Sequence, residues 1–160
     1  MKPLTMTTPS EKVVCVTRQF DALPELVWRT FTEPELVKRW LTGPPGHTMP
    51  VCEIDLRVGG SWKYVWKMPD DTLMTAYGKY QEVKLHERIV HTETFEQWPD
   101  NSSFVTTRFN AQQGGTQVTT LMEFDSETTR DMVLQTGMTE GMEMSYQGLD
   151  QLLIEQRSLI

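Results

Sequence analysis

Apolar residues recur at every second position through much of the chain. Runs with this alternation are separated by Gly, Pro, Asp and Asn turn signals, and they occupy residues 13–20, 49–57, 61–68, 74–84, 88–96, 103–111 and 117–125. Period-two alternation is typical of strands that bury one face, and short spacing between such runs is typical of antiparallel neighbours. The pattern therefore predicts one early strand and a later meander of six strands.

Two short helices are predicted between the first strand and the meander. Pro24 stands at the start of a helical segment at 25–32, and Pro34 opens a second segment that runs to about residue 40. Proline suits the first helical turn because its missing N–H would have no partner there. The Gly- and Pro-rich residues 41–47 then predict a loop.

The C-terminal residues 136–153 are predicted to form one long amphipathic helix, with N-cap candidates at 126–129. One side of this helix carries Leu134, Met138, Met142, Ser145, Tyr146, Leu149, Leu152 and Leu153. Glycine costs about 1 kcal/mol against alanine inside a helix. We therefore expect Gly141 and Gly148 to admit the close approach of a sheet or a ligand. Core packing and a cavity lined by flexible methionines are both compatible with this face.

Together these elements predict an α+β fold with the order β-α-α-β6-α. A curved, seven-stranded antiparallel sheet would wrap around the long C-terminal helix. The length suits a single domain at 12–160, preceded by a flexible lead-in at 1–11. A sheet half-closed around a helix encloses a space, and that space is the predicted binding site.

Composition narrows the classes of function. The net charge of −7 argues against a nucleic-acid surface, which needs a basic stripe. No apolar run approaches the ~20 residues of a membrane span, and the polar start without an apolar signal region favours a cytoplasmic protein. Cys15 and Cys52 lie in predicted strands, which favours reduced thiols. The three histidines lack ligand spacing and no Gly-rich phosphate loop is present, so no metal and no cofactor is expected.

The Gly59-Gly60 hairpin leaves two registers open. With a two-residue turn, the charged residues Glu53, Asp55 and Arg57 share a face with the aromatic residues Trp62, Tyr64 and Trp66. A turn one residue longer inverts the parity and sends those charges into solvent, with Cys52, Ile54 and Leu56 inside.

Three residues are candidates for acid–base chemistry. His47 in the loop, together with Glu53 and Asp55, has the right proton-transfer groups, although nothing nearby in sequence orients the His47 ring. Trp40 and His47 are placed at the cavity entrance. His91 lies in an alternating run, where it is either a ligand contact or a sheet histidine with a satisfied hydrogen bond.

The order of elements and three segments carry a resemblance to a known family. The segments are DLRVGGSW at 55–62, RIVHTETF at 88–95 and the C-terminal stretch 130–153. Residues 12–157 resemble the AHSA1-like branch of the START-like (SRPBCC) superfamily. The resemblance implies a helix-grip (START/Bet v 1-like) fold with a deep hydrophobic cavity. Such cavities bind lipids, sterols, polyketides and other apolar molecules, and a minority of members are enzymes.

The resemblance is imperfect at the implied cavity. Many relatives carry Gly-Trp where this chain has Gly141-Met142, a tryptophan pair where it has Trp40-Leu41, and an aromatic residue at His47. The resemblance therefore implies a pocket that is larger or more adaptable than in relatives, with different residues at its entrance. The chain also lacks the separate N-terminal domain with which the eukaryotic activator grips its chaperone, so a chaperone partner is not expected.

The predicted function is binding of an apolar or amphipathic small molecule between the sheet and the C-terminal helix. The predicted ligand contacts are Trp40, His47, Asp55, Arg57, Trp62, Tyr64, Trp66, His91, Met138, Met142, Tyr146 and Leu149. The alternative is a cyclase- or hydrolase-like enzyme that uses His47, Glu53 or Asp55 in the same cavity. A third possible function is that of a protein-interaction domain. The sequence does not decide whether the protein forms a homodimer.

Overall fold

The computed structural model describes residues 3–158. Its strands form an antiparallel sheet, and buried and more exposed residues alternate along most of them. The strands of this part of the chain are β1 (Thr5–Ser10), β2 (Val13–Phe20), β3 (Thr48–Ile54), β4 (Ser61–Lys67), β5 (Leu73–Lys84), β6 (Arg88–Phe95), β7 (Ser103–Gln112) and β8 (Gly115–Glu123). Its helices are α1 (Pro24–Thr32), α2 (Pro34–Trp40), α3 (Glu127–Gln135) and α4 (Met138–Arg157). The strand order is β1-β2-β8-β7-β6-β5-β4-β3, with every neighbouring pair antiparallel. The predicted α+β helix-grip class is confirmed.

The described sheet has eight strands rather than the predicted seven. The extra strand, β1, lies in the segment predicted to be a lead-in and pairs with β2 from Thr5↔Thr17 to Ser10↔Val13. Every β1 residue is exposed, so no apolar alternation marks this edge strand in the sequence. Residues 1–2 of the predicted lead-in and residues 159–160 of the predicted domain lie outside the described residues.

The predicted single C-terminal helix is two helices. Ser126 caps α3 as predicted, since its Oγ accepts a hydrogen bond from the Thr129 N–H at 3.1 Å. Between α3 and α4, Gly137 adopts φ 84°, which is left-handed backbone that ends a right-handed helix. The glycine therefore separates the two helices instead of admitting a neighbour.

Burial along α3 and α4 is strongly asymmetric. No residue of α3 is fully buried, and the buried residues of α4 are Ser145, Tyr146, Leu149, Leu152 and Leu153. Met138 and Met142 are only partly buried where they pack against the core. The C-terminal part of α4 is therefore firmly packed, whereas its first two turns and α3 cover the fold more loosely.

A buried arginine fixes α4 to the sheet. Arg18 on β2 donates from Nη1 and Nη2 to the two Asp150 carboxylate oxygens at 2.8 and 2.7 Å, and Glu143 lies 3.4 Å from Nη2. The guanidinium carbon lies 4.9 Å from the Phe20 ring centre and 6.0 Å from that of Tyr146. The paired charges and stacked rings set the rotation of α4 over the sheet.

The two α4 glycines have different surroundings. A Cβ at Gly148 would lie 3.7 Å from the Trp40 carbonyl oxygen, so α4 does run close to the end of α2 there. A Cβ at Gly141 would meet no atom within 4 Å. The expected close approach at Gly141 is therefore wrong.

Candidate functional site

The β3–β4 register decides which side chains face the helices. Ile54 pairs with Trp62 and Cys52 with Tyr64, whereas Glu53 pairs with Lys63 on the outer face. The two-residue turn is therefore wrong. The connection is also longer than the alternative turn, although the charges lie outside as that alternative predicted. The reason lies in the connection, where Asp55 N–H donates to the Ser61 carbonyl at 2.9 Å and the chain leaves the ladder before Gly59-Gly60.

Asp55 and Arg57 consequently lie on the surface. Their side chains form an ion pair at 3.0 Å, with 49% of Asp55 and 72% of Arg57 exposed. The structure does not bring them to the aromatic side chains of the hairpin, which point to the opposite face. Their predicted contact with a ligand would require a ligand outside the concave side of the sheet.

Aromatic rings line the concave face of β4, β5 and β6. The ring centres of Trp62 and Tyr64 are 4.7 Å apart, those of Tyr64 and Trp66 are 5.8 Å apart, and those of Trp66 and Phe95 are 6.5 Å apart. Tyr80 joins this face beside His91, at 6.1 Å. We call Trp62, Tyr64, Trp66, Tyr80 and Phe95 the aromatic wall.

A glycine gives the Trp62 indole room to lie across β5. The Trp62 Nε1–H donates to the Thr92 carbonyl at 3.1 Å, although β5 lies between the two strands. Trp62 pairs with Gly78 on β5. A Cβ at Gly78 would lie 1.8 Å from the Thr92 oxygen and 2.8 Å from Trp62 Nε1. The missing side chain is therefore what allows the indole to cross β5.

Glu93 is a functional candidate that the sequence analysis missed. Alternation along β6 puts it on the concave face with His91 and Phe95, and its charge acts on the Tyr64 hydroxyl. Its carboxylate makes no ion pair or hydrogen bond to another residue of 3–158. Burial raises the pKa of Glu93 to about 7 although the residue keeps part of its surface accessible.

His91 lies beside Glu93 and is also unsatisfied. Its Nδ1 is buried and has no hydrogen-bond partner among the described residues, so the interpretation as a satisfied sheet histidine is wrong. The ring packs edge-on to Trp62 at 5.2 Å. Burial lowers the pKa of His91 to about 4, so the imidazole is neutral at pH 7.

Two tyrosines complete a group of polar atoms on this face. The hydroxyls of Tyr64 and Tyr80 form no hydrogen bond with the rest of residues 3–158, and burial raises the pKa of both. We call Tyr64, Tyr80, His91 and Glu93 the concave polar cluster. Of the polar atoms in this cluster, His91 Nδ1 is fully buried without a partner, which is unusual because buried polar groups in proteins are nearly always hydrogen-bonded. Neighbouring Cys52 is no nucleophile, since burial raises the pKa of its thiol to about 11.

The loop at 41–47 is tied to both sides of the fold. The Trp66 Nε1–H donates to the Leu41 carbonyl at 2.8 Å, and the Gly43 N–H donates to Ser145 Oγ at 2.8 Å. His47 Nδ1 lies 3.1 Å from the carbonyl oxygen of Pro44 in the same loop. The loop therefore bridges β4 and α4 at one edge of the aromatic wall.

The remaining predicted residues fall into distinct environments. Trp40 is 3% exposed and donates to the Thr30 carbonyl at 2.7 Å, so it is a core residue rather than one at an entrance. Tyr146 and Leu149 are equally buried, while Met138 and Met142 are half-buried. Glu53 and Asp55 face solvent and His47 lies in its loop, so the proposed acid–base trio is not assembled. The ligand contacts of Trp62, Tyr64, Trp66, His91, Met138 and Met142 stay predictions.

Other candidate sites are few in the part of the chain described. Within residues 3–158, no three His, Cys, Asp or Glu side chains gather closely enough to hold a metal ion. None of the described helices is long and apolar enough to cross a bilayer. An open surface groove of about 410 Å³, lined in part by Leu23, Leu26, Arg29 and Arg157, contains none of the predicted site residues.

Glu93 and His91 impose opposite pH dependences on stability. Burial raises the Glu93 pKa from 4.5 to about 7, so its contribution to stability is lost as the pH rises through that window. Burial lowers the His91 pKa from 6.5 to about 4, so its contribution is lost as the pH falls through that window. As the pH rises, the free energy of unfolding of Glu93→Gln will increase relative to that of wild type, and that of His91→Gln will decrease. Each change will be on the order of 2–3 kcal/mol. Urea unfolding across this range measures both slopes, and parallel curves for all three proteins would contradict the assignment.

A curved antiparallel sheet that grips a C-terminal helix, with an aromatic concave face, defines a helix-grip protein of the START-like class. The family profile described as Activator of Hsp90 ATPase homolog 1-like protein matches residues 21–154. The chain belongs to this family, the AHSA1-like branch of the START-like superfamily. The resemblance seen in the sequence is thus confirmed.

Solved structures agree with this assignment. A protein from Rhodobacter sphaeroides superimposes with a TM-score of 0.91 at 25% identity, covering 96% of this chain and 99% of its own. A protein from Mycobacterium smegmatis gives 0.83 at 25% identity, covering 94% and 97%. An AHSA1-like protein from Aeromonas hydrophila shares the fold at 0.71 and 19% identity, covering 88% and 93%. Comparison with curated protein sequences gives no match.

Proposed function

We propose that the protein binds an amphipathic small molecule in a recess between the aromatic wall and the first turns of α4. The observation that carries the proposal is the concave polar cluster. Four titratable side chains without hydrogen-bond partners among residues 3–158 lie near aromatic rings, and one of their atoms, His91 Nδ1, is fully buried, where leaving a polar atom unpaired is costly. A few convergent polar groups in an apolar concave site are typical of small-molecule sites.

The distribution of burial supports the same location. The sheet is tightly packed where β2 and β8 meet α4, with Val14, Phe20, Val118 and Leu149 at 3% exposure or less. Several apolar residues that pack against the core on β4, β6, α3 and the start of α4 are only partly buried: Tyr64, Trp66, Phe95, Val133, Leu134, Met138 and Met142. A ligand in contact with them would complete the burial of surfaces that the protein leaves open. Methionine side chains adapt readily to such a guest.

A second candidate function is acid–base catalysis in the same recess. It is favoured by Glu93, whose pKa of about 7, raised by burial, suits a group that both donates and accepts a proton near neutral pH. Glu93 takes the place of the sequence-predicted trio of His47, Glu53 and Asp55. If a substrate is found, Glu93→Gln should abolish its turnover while leaving its binding intact. Loss of binding together with turnover would count against catalysis.

The binding proposal predicts that filling the recess from α4 weakens the binding of an apolar guest. Met142 is half-buried, and Met142→Trp should occupy space facing the aromatic wall. We expect its affinity for the neutral apolar dye N-phenyl-1-naphthylamine to fall by about tenfold or more. Fluorescence titration of the dye measures the change.

Met144→Trp is the matched control, since Met144 is 44% exposed on the same helix. We expect it to bind the dye like wild type. Equal weakening by both substitutions, or no saturable binding to wild type, would overturn the proposed function.

A further inference from the structure

We infer that the polar end of the ligand is a cation, a protonated amine or a quaternary ammonium group, with Glu93 as its counter-ion and the aromatic wall as its cage. The inference rests on the proposed function, because it names the ligand class of the same recess. It follows from three features of the described chain: an unpaired carboxylate, the absence of nearby cations, and the arrangement of the rings.

Within residues 3–158, no positively charged group is paired with the Glu93 carboxylate. The titratable groups that face it are Cys52 from β3, Tyr64 from β4, Tyr80 from β5 and His91 from its own strand. β7 offers only the buried Ser103 directly opposite. At pH 7 none of these groups is positively charged, since burial keeps the His91 pKa at about 4.

Cations elsewhere in the described residues are exposed or committed. Lys38 of α2 acts on Cys52 but pairs with Glu35 at 3.3 Å, and Arg57 pairs with Asp55 at 3.0 Å. Lys63 and Lys67 of β4 are exposed, and Arg88 of β6 pairs with Glu82. Arg18 is bound by Asp150 at the far side of the sheet. Along α4 the charged residues before Arg157 are all acidic: Glu140, Glu143, Asp150 and Glu155. No charge among residues 3–158 therefore neutralises an ionised Glu93, which leaves a proton or a cation from outside for that role.

The surrounding rings favour the cation over other ligands. Tyr64 lies between Trp62 and Trp66, and Phe95 stacks on Trp66 with an interplanar angle of 24°. Such closely spaced rings offer negative π faces to an ammonium group. An anion would meet both these faces and the carboxylate, and the net charge of −7 repels it further. A neutral ligand would leave Glu93 protonated.

Cation binding is consequently linked to a proton. A bound ammonium group holds Glu93 ionised, so the empty site must first lose its proton at low pH. The affinity for a cation should rise by up to about tenfold per pH unit below the Glu93 pKa and level off above it. The affinity for a neutral analogue should not increase in this way.

Three probes with one ring system test the inference: 2-(aminomethyl)naphthalene, 2-naphthalenemethanol and 2-naphthoate. Isothermal titration at a pH above and a pH below 7 would compare wild type, Glu93→Gln and the control Glu53→Gln, whose carboxylate faces solvent on β3. We expect wild type to bind the amine about tenfold or more tightly than the alcohol above pH 7, and to bind the naphthoate most weakly. Glu93→Gln should lower amine affinity to that of the alcohol, and a far-UV circular dichroism spectrum equal to that of wild type would report an intact fold. Glu53→Gln should behave as wild type.

The outcomes separate this inference from the proposal beneath it. If the dye and the alcohol bind but the amine binds no more tightly than the alcohol, or if the naphthoate binds best, the cation preference is wrong. The proposed binding of an apolar guest in the recess would still hold. If the dye binds and none of the three probes does, the cation preference is also wrong. If neither dye nor probes bind wild type, the proposed function fails with it.

Discussion

Replacing Asp150 with alanine will destabilise the fold by about 3 kcal/mol, because it leaves the Arg18 guanidinium buried without its main partner. The Arg18 side chain is 1% exposed, and both of its bonds to Asp150 are 2.8 Å or shorter. We expect a loss at the lower end of the range for breaking a buried ion pair, because Glu143 stays 3.4 Å from Arg18 and Asp150 is partly exposed. The free energy of unfolding in urea measures it.

Glu155→Ala is the matched control for this prediction. Glu155 lies on the same helix and pairs with Arg39, but both side chains are nearly half exposed. Exposed pairs contribute up to about 1 kcal/mol, so the control should lose less than that. Equal losses in the two variants would show that the Arg18 network does not anchor α4.

Replacing Gly78 with alanine will cost about 3 kcal/mol or more, since the added methyl group cannot be accommodated. The methyl carbon would lie 1.8 Å from the Thr92 carbonyl oxygen, and the backbone in the middle of a sheet cannot shift without loss of its hydrogen bonds. The same methyl group would displace the Trp62 indole from its hydrogen bond. We therefore expect both a lower free energy of unfolding and a changed tryptophan fluorescence spectrum.

Gly141→Ala gives the opposite expectation and serves as the control. No atom lies within 4 Å of its Cβ position, and alanine favours helix over glycine by about 1 kcal/mol. This variant should be more stable than wild type by roughly 0.5–1 kcal/mol. A loss of stability at Gly141, or tolerance at Gly78, would contradict the packing described for these positions.

The strands and helices that face the core could be predicted because their buried positions recur at regular intervals along the sequence. In β2, for example, Val14, Val16, Arg18 and Phe20 are buried in alternation with their neighbours. The edge strand β1 escaped prediction because both of its faces are exposed and no period results. The break at Gly137 escaped because glycine has several uses, and only the backbone dihedral angle shows which one applies.

The aromatic wall was predictable, whereas the polar groups beside it were only partly so. Trp62, Tyr64 and Trp66 share one parity on β4 whatever the turn length. The orientation of Asp55 and Arg57, by contrast, depends on where the chain leaves the ladder, and a single residue reverses it. Glu93 has the same parity as His91 and Phe95, so alternation alone could have identified it. What the sequence could not show is that none of the cations among residues 3–158 pairs with it.

The most direct test of ligand binding in the recess uses the five tryptophan indole N–H signals of the protein. Saturation with N-phenyl-1-naphthylamine, followed by two-dimensional ¹H–¹⁵N NMR, should shift the signals of Trp62 and Trp66, which belong to the aromatic wall. Trp28, which packs against Phe109 and His86, should stay unchanged. Shifts at Trp28 without shifts at Trp62 and Trp66 would place the guest elsewhere and contradict the proposed binding site.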